Sequence, residues 1–560
     1  MKLTNTLSHY RREWLSADLI AGLIVAVLIT PQAIAYALLA GLPPQAGLYA
    51  AMAPVLVYAL TGTSPLLAVG PVAIVSLMTF EALHTLAVPG SAEYTTLATA
   101  LALMTGLWLL LFFLIGLGRW TTFISHSVIS AFTSATAILI LVSQLKYLTG
   151  IPLPSSSSLW HTVTAFADVS GALNTSALLI SMIAICLLLG WQALLPRLTG
   201  SLPGWLASLL NKSGPLVLVA GGIMLMHHST LPLTVVGAVP AGLPSVSLPS
   251  ISLAQWQALL SSSAMIALIG YLSSLSVAKA LEPPQHSKLN SNQELGALAL
   301  ANFAAAFTQA FPVAGGFGRS VINQAAGARS QLAGIITAVL VAFICLFASP
   351  LFSALPHAIL AVIVVTAVWP LVRFADGWQA WRFHKSDGLV WLITFAAVLL
   401  AGAEKGILLG MALSLALYLK RSSEPHIAEV GRVGNSDHFR NVLRHQVTTR
   451  PDVLLVRIDE NLYFANSQYL LEYVNGRLHD KPGIRHVVIV GSAINHIDFS
   501  GYQCLSQLLE ELKEKDICLH LAEFKGPVMD QLQKTDLLYR LPPGQVFFTA
   551  SDALRELGGV

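Results

Sequence analysis

Long apolar runs separated by short polar turns fill the chain from residue 18 to residue 420, and then stop. Fourteen of them approach the roughly 20 residues that a helix needs to cross a bilayer. They lie at 18–40, 45–62, 67–86, 94–117, 122–145, 174–195, 214–231, 255–280, 293–310, 312–328, 331–351, 355–372, 387–402 and 404–420. The pattern predicts a polytopic α-helical membrane part over 18–421, behind a polar lead-in of residues 1–17. Past Arg421 the pattern changes. A basic stretch with Ser and Pro, 422–450, is expected to be a linker, and 451–560 a small α/β domain. There Val453–Ile458, His486–Val490 and 519–521 read as buried strands, and 502–513 and 527–538 as amphipathic helices.

Composition agrees with this pattern. The 560 residues are 55% hydrophobic and only 11% charged, whereas soluble domains carry about a quarter charged residues. The net charge of +3 gives no reason to expect nucleic acid as a partner. Lysines and arginines are sorted by loop. With the N-terminus inside, one side receives Arg119, Arg197, Lys212, Lys279, Lys288, Arg329, Arg373, Arg382, Lys385, Lys420 and Arg421, and the other only Lys146 and Lys405. The positive-inside rule therefore places both termini in the cytoplasm, and a bacterial inner membrane is the expected location. Cys186, Cys345, Cys504 and Cys518 have no metal-ligand or redox spacing and read as reduced thiols. The C-terminal part has no phosphate loop, dinucleotide fingerprint or zinc spacing, so no cofactor, no metal and no enzyme activity is expected.

One stretch breaks the apolar rule. Phe311-Pro312-Val313-Ala314-Gly315-Gly316-Phe317-Gly318-Arg319-Ser320 holds a proline, three glycines and a guanidinium within a predicted span. Broken backbone at membrane depth occurs where it is buried in protein or lines a water-filled space. Gly70-Pro71-Val72-Ala73 opens the third run as Phe311-Pro312-Val313-Ala314 opens the tenth. Two further string pairs recur at an offset of seven runs: Gly41-Leu42-Pro43-Pro44-Gln45 with Leu281-Glu282-Pro283-Pro284-Gln285, and His126-Ser127-Val128-Ile129 with His357-Ala358-Ile359-Leu360. Seven spans per repeat make the halves inverted, and paired Gly/Pro-broken segments then point to a transport site. A single proline would be read as a kink; at matched positions the two predict half-helices whose N-termini face an anion. Val72, Ala73, Phe317 and Gly318 would line their first turns, leaving recognition to backbone near Pro71 and Gly316. Arg319 is either a structural ion pair or the positive potential of that site. Glu81 and Glu404 lie towards span ends and Asp376 in an expected loop, which favours the second reading. Gln32 and Tyr36, four residues apart on one face after Pro31, are interhelical glue or anion donors.

These residues carry a resemblance. Pro31-Gln32, Ala35-Tyr36-Ala37-Leu38-Leu39-Ala40-Gly41-Leu42-Pro43-Pro44 and Gly47-Leu48-Tyr49 are similar to the sulfate permease family of anion transporters. So are Gly70-Pro71 with Ser76, Asn290-Ser291-Asn292-Gln293-Glu294-Leu295, Arg319-Ser320 and Gly327-Ala328-Arg329-Ser330-Gln331-Leu332-Ala333-Gly334. The tail resembles a STAS domain, with Ile497-Asp498-Phe499-Ser500-Gly501 at its Asp-x-Ser-Gly turn. The resemblance implies two interleaved seven-span inverted repeats, a core that moves against a gate as an elevator, and a homodimer. It places Gln32, Tyr36, Val72, Phe317, Gly318 and Arg319 at the anion site, with Thr366 facing it from the gate. Relatives often carry Ser or Thr where Gly318 stands. Several cation-coupled bacterial relatives carry Asp or Glu in span eight, where Ile269-Gly270-Tyr271-Leu272-Ser273-Ser274-Leu275-Ser276 has none. Asp498 and Ser500 are expected to have a regulatory role, with Ser500 at a position phosphorylated in related soluble regulators. For Ser500 the favoured reading is nonetheless an N-cap of the following helix, since Ser and Asp are the default N-cap residues, and Asp498 could cap it too.

The function expected is transport of a small inorganic anion, sulfate first, with bicarbonate, chloride or dicarboxylate behind it. The expected partners are that anion, membrane lipid, a second copy of the chain and a cytoplasmic protein at the STAS domain. A nucleobase–proton symporter is disfavoured by the missing span-eight carboxylate, and a membrane-anchored sensor signalling through STAS is the rival from another class.

Overall fold

The computed structural model describes residues 10–119, 125–151, 159, 173–199, 210–211, 213–229, 231–281, 289–434 and 436–558. Residues 1–9 of the lead-in, Lys212, Lys288 and the Glu282-Pro283-Pro284-Gln285 string lie outside them. The chain divides into two units, 1–412 and 413–560.

Every apolar run carries helix, the last one running on past the end of the first unit. The first half comprises α1 (Leu15–Leu39), α2 (Pro44–Ala50), α3 (Ala53–Thr61), α4 (Ala73–Leu83), α5 (Ala92–Leu114), α6 (His126–Thr149), α7 (Thr175–Leu198) and α8 (Gly214–His228). The second comprises α9 (Leu253–Ala280), α10 (Ser291–Phe307), α11 (Phe317–Ala325), α12 (Leu332–Phe347), α13 (His357–Val368), α14 (Phe374–Phe383), α15 (Lys385–Ala401) and α16 (Ala403–Ser423). Among the described residues six apolar stretches are long enough to cross a membrane unaided: Arg12–Leu39, Ala92–Leu114, His126–Thr149, Thr175–Leu198, Leu253–Lys279 and His357–Phe383. The second run divides into α2 and α3 at Ala51-Met52, and the third and tenth open with the two-residue strands β1 (Val69–Gly70) and β2 (Ala314–Gly315).

The two halves interlock. α1 packs along α12, and α3 and α5 along α10, while α6 packs against α13 and α15. Close approach depends on small residues. The α10 face is alanine-rich, with Ala297, Ala299, Ala301, Ala305 and Ala306 fully buried. α2 presses on α1 so closely that a Cβ at Gly47 would stand 1.9 Å from the Ala33 carbonyl oxygen.

Two buried carboxylates hold helix ends. Asp18 accepts from Arg329 N at 2.7 Å, Ser330 N at 3.1 Å and Ser330 Oγ at 2.6 Å. Glu294 accepts from Tyr58 Oη at 2.7 Å, Thr63 N at 2.6 Å and Ser64 N at 3.2 Å. With these donors the charges need no cation. One expectation is corrected here: Asp376 lies on α14, where the sequence suggested a loop, and it accepts from Ser130 Oγ at 2.8 Å.

The second unit is a six-stranded sheet in the order β4-β3-β5-β6-β7-β8, flanked by helices. Its strands are β3 (Ile427–Arg432), β4 (Phe439–Asn441), β5 (Val453–Ile458), β6 (His486–Val490), β7 (Cys518–Ala522) and β8 (Val546–Phe547). β5 to β8 run parallel and β3 antiparallel to β5. The central strands are apolar at successive positions because both faces are covered. Leu454, Val456, Val487 and Ile489 meet α17 (Ser467–Asp480) and α18 (Phe499–Glu514), and Leu455, Val488 and Val490 meet α21 (Ala550–Glu556). The predicted linker thus contributes two strands, and the predicted helix 527–538 is two, α19 (Gly526–Leu532) and α20 (Leu537–Arg540).

Candidate functional site

The two broken segments meet. Val69 pairs with Gly315 and Gly70 with Ala314 in an antiparallel bridge between the halves, extended by Gly316 N donating to Ala68 O at 3.0 Å. From this bridge α4 and α11 run out, with Val72 and Gly316 as N-caps. Neither cap side chain accepts a hydrogen bond from the first turn. Two helix N-termini, one from each half, therefore rise from one point with first-turn N–H groups that their caps leave open.

Side chains from α9, α10 and α11 itself, with Gln331 at the start of α12, fix this backbone. Asn302 on α10 clamps Val313, accepting from its N at 3.0 Å and donating to its carbonyl at 3.1 Å. Ser274 on α9 accepts from Gly315 N at 2.7 Å while donating to Gly270 O. Ser320 accepts from Ala68 N at 2.9 Å and donates to Gly316 O at 2.8 Å. Asn323 donates to Leu66 O at 3.1 Å, and Gln331 to Ser64 O and Leu67 O. Sequence reasoning missed this clamp set. Its only sequence signal is polar residues inside apolar helices, such as Asn302 amid alanines, whose partners lie far along the chain.

Arg319 is only 4% exposed. Its Nη1 donates to the Pro71 carbonyl at 2.5 Å, across from one half to the other. Among the described residues Nε and Nη2 are buried without a hydrogen-bond partner, and no carboxylate pairs with the guanidinium. Two glycines make its room. A Cβ at Gly316 would stand 2.8 Å from Nη2, and one at Gly70 3.3 Å, where φ is also +150°.

The other predicted residues fall into two groups. Gln32 and Thr366 share a cavity of about 290 Å³ with Leu28, Trp191, Ile322 and Ile363. The Gln32 amide has no partner there among the described residues, whereas the Thr366 hydroxyl donates to the Val362 and Ile363 carbonyls. Tyr36 lies a turn beyond Gln32 on α1, buried, and α1 packs against α11. Pro71, Ala73 and Gly316 are buried at the bridge, Val72 is half-buried, and Phe317 and Gly318 are exposed on the first turn of α11. Val72, Ala73, Phe317 and Gly318 stand outside the wall of the Gln32–Thr366 cavity. In the second unit Asp498 caps α18, accepting from Gly501 N at 2.8 Å and from Phe464 N at 3.0 Å. Ser500, the second residue of that helix, is half-buried and does not supply the cap.

The sulfate permease family model matches residues 15–394 and the STAS domain model residues 444–553. The chain is 34% identical over 555 residues to "Probable sulfate transporter 4.2" of Arabidopsis thaliana, covering 97% of this chain and 81% of that one. It is 31% identical over 552 residues to "Probable sulfate transporter Rv1739c" of Mycobacterium tuberculosis, covering 98% and 96%. Its fold is that of the murine Solute Carrier 26 family member A9 anion transporter in the inward-facing state, with a TM-score of 0.88 at 22% identity over 98% of this chain and 92% of that one. The transmembrane domain of a cyanobacterium bicarbonate transporter, BicA, matches 74% of this chain and 100% of its own, with a TM-score of 0.62 at 22% identity. With the family model covering more than half of the chain, a STAS domain following it and a relative at 34% identity spanning 97% of it, the chain belongs to the sulfate permease family.

Proposed function

We propose that this chain carries a small inorganic anion, sulfate first, across the bacterial inner membrane as a secondary transporter. One observation carries the reading: the buried Arg319 guanidinium, with Nε and Nη2 free of partners among the described residues, lies where two open helix N-termini start. A fixed positive charge and backbone N–H groups at one point favour an anion over any cation. Sulfate comes from the names of the relatives; backbone donors read charge and size, so bicarbonate, chloride and dicarboxylate belong in the same assay.

In this proposal residues 18–421 cross the membrane fourteen times as two inverted repeats of seven, a homodimer forms, and both termini are cytoplasmic. Residues 422–450 lead into a regulatory STAS domain at 451–560, in which Asp498 orders the turn that presents Ser500 to a partner or a kinase. The anion sits at the bridge among Pro71, Val72, Ala73, Gly316, Phe317, Gly318 and Arg319. Gln32 and Tyr36 reach it from α1 and Thr366 faces it from the gate. The core carrying the bridge slides past the gate as an elevator. Span eight offers no acid, and Ser274 is hydrogen-bonded on both sides of its oxygen. Flux is therefore expected without a sodium or proton gradient, as exchange or uniport.

The test is a radiotracer panel in proteoliposomes, with sulfate, bicarbonate and chloride, each with and without sodium and pH gradients. Wild type moves at least one of them, and Arg319→Ala loses uptake or changes anion preference. No flux of any anion under any gradient refutes transport. Unchanged uptake and selectivity in Arg319→Ala reduces that residue to a structural charge.

A further inference from the structure

The β3–β4 arm of the second unit carries a charge pattern that transport does not use. No acidic residue occurs between Asp437 and Asp452, where His438, Arg440, Arg444, His445 and Arg450 stand. Arg450 pairs with Asp452. Arg440 and Arg444 are exposed and form no ion pair among the described residues. Near them Leu443 is 86% exposed. The turn is built rather than loose: Asn441 Oδ1 accepts from Leu443 N at 2.8 Å, and its carbonyl accepts from Arg444 N and His445 N, each at 3.1 Å. This local bonding holds an apolar side chain out in water beside two unpaired guanidiniums.

The register says where the turn sits. Asn441 pairs with Val430, and Val442 N donates to Glu429 O at 3.1 Å, so the chain has returned to the start of β3. β3 opens at Ile427, soon after α16 ends at Ser423 with Lys420 and Arg421 in its last turn. At no more than about 3.5 Å per residue, the path from Ser423 to Glu429 spans at most about 21 Å, and the neighbouring strand adds about 5 Å. With α16 crossing the membrane as proposed, the turn is held within about 26 Å of the helix end at the bilayer surface.

We infer that Arg440, Leu443, Arg444 and His445 dock on the anionic phospholipid headgroups of that leaflet. Guanidiniums bind phosphate through parallel N–H donors, and an exposed leucine between cations enters the headgroup–acyl boundary. An acid-free segment meets no repulsion from a negative surface. The inference rests on α16 spanning the membrane and not on which anion is carried, so failure of the flux panel leaves it intact.

Amide hydrogen exchange on the full-length protein tests it, in nanodiscs of phosphatidylcholine alone and with about one third phosphatidylglycerol. Residues 440–446 exchange more slowly in the anionic nanodiscs, while β5 exchanges equally in both and reports an unchanged fold. Each arginine near the surface is worth about fivefold in the docked-to-free ratio, so Arg440→Ala with Arg444→Ala abolishes the difference. Leu443→Ser reduces it. Equal exchange of 440–446 in the two nanodiscs overturns the inference. So does equal protection by inorganic phosphate added to phosphatidylcholine nanodiscs, which would mark a small-anion site instead of a lipid surface.

Discussion

At Gly316 a single methyl group would crowd the proposed site. A Cβ there would stand 2.8 Å from Nη2 and 3.0 Å from Cζ of Arg319. That guanidinium is held by the Pro71 carbonyl and cannot swing away without breaking the contact between the halves. Overpacking of this kind costs about 1–3 kcal/mol. Gly316→Ala is therefore expected to lower anion uptake by about tenfold or more at matched protein levels. Gly318 is the contrast, since nothing lies within 4 Å of a Cβ built on it. Gly318→Ser is expected to keep uptake and to change, at most, the ranking of sulfate against chloride. Equal loss in both variants would show that the first turn of α11, and not the guanidinium, limits transport.

At the scale of elements, the half-helices point where they do because other helices hold their entry strands. Asn302→Ala would strip Val313 of the partners of both its N–H and its carbonyl inside a fully buried site. An orphaned buried backbone group costs about 1–3 kcal/mol. The expected outcome is a lower thermal midpoint in detergent together with weaker anion affinity, because the clamp and the bridge are one structure. A lower midpoint with unchanged affinity would confine Asn302 to stability. This level was the least legible in the sequence. Apolar runs announce helices by period, and Pro71 and Pro312 announce their interruption by chemistry. What Asn302, Ser274 and Ser320 hold, by contrast, depends on partners 11, 41 and 252 residues away, and no local pattern encodes such distances. Asp18 and Glu294 were hidden for the same reason, being satisfied by backbone groups of distant loops. α14 and the pair β3–β4 were missed because they are short, 10, 6 and 3 residues, and mix polar with apolar positions, so they look like loop and linker.

The sheet of the second unit adds a dependence on pH. Burial pushes the His520 imidazole down to about 4, and the His486 ring beside it pushes the same way. An unfolded histidine titrates near 6.5. The folded unit therefore holds His520 neutral where the unfolded chain takes up a proton. Its contribution is complete above about pH 6.5 and is lost as pH falls towards 4. In the intact protein, amide exchange across β6 and β7, referred to its intrinsic rate at each pH, should lose protection between those values. His520→Leu should flatten the profile. A profile unchanged by that substitution would assign the acid sensitivity to other groups.

At the scale of the whole molecule, every residue proposed to hold the anion lies in the unit 1–412. The clamps around them lie there too: Asn302, Ser274, Ser320, Asn323 and Gln331 all precede Ala412. The second unit has its own open six-stranded sheet, covered by two hydrophobic cores built from its own residues. A chain ending at Ser423 should then keep the site. Binding to the folded state alone stabilises it by RT ln(1 + [L]/Kd), about 2.7 kcal/mol at a hundredfold excess of anion over Kd. The shortened protein is therefore expected to show the same anion-dependent rise in unfolding temperature as the full chain, and Arg319→Ala to lose the rise in both. The control separates two failures. If the rise disappears on truncation but persists in full-length protein, the STAS domain helps to build the site. If Arg319→Ala retains it in both, the anion binds away from the bridge of β1 and β2, and the half-helices have a purely structural purpose.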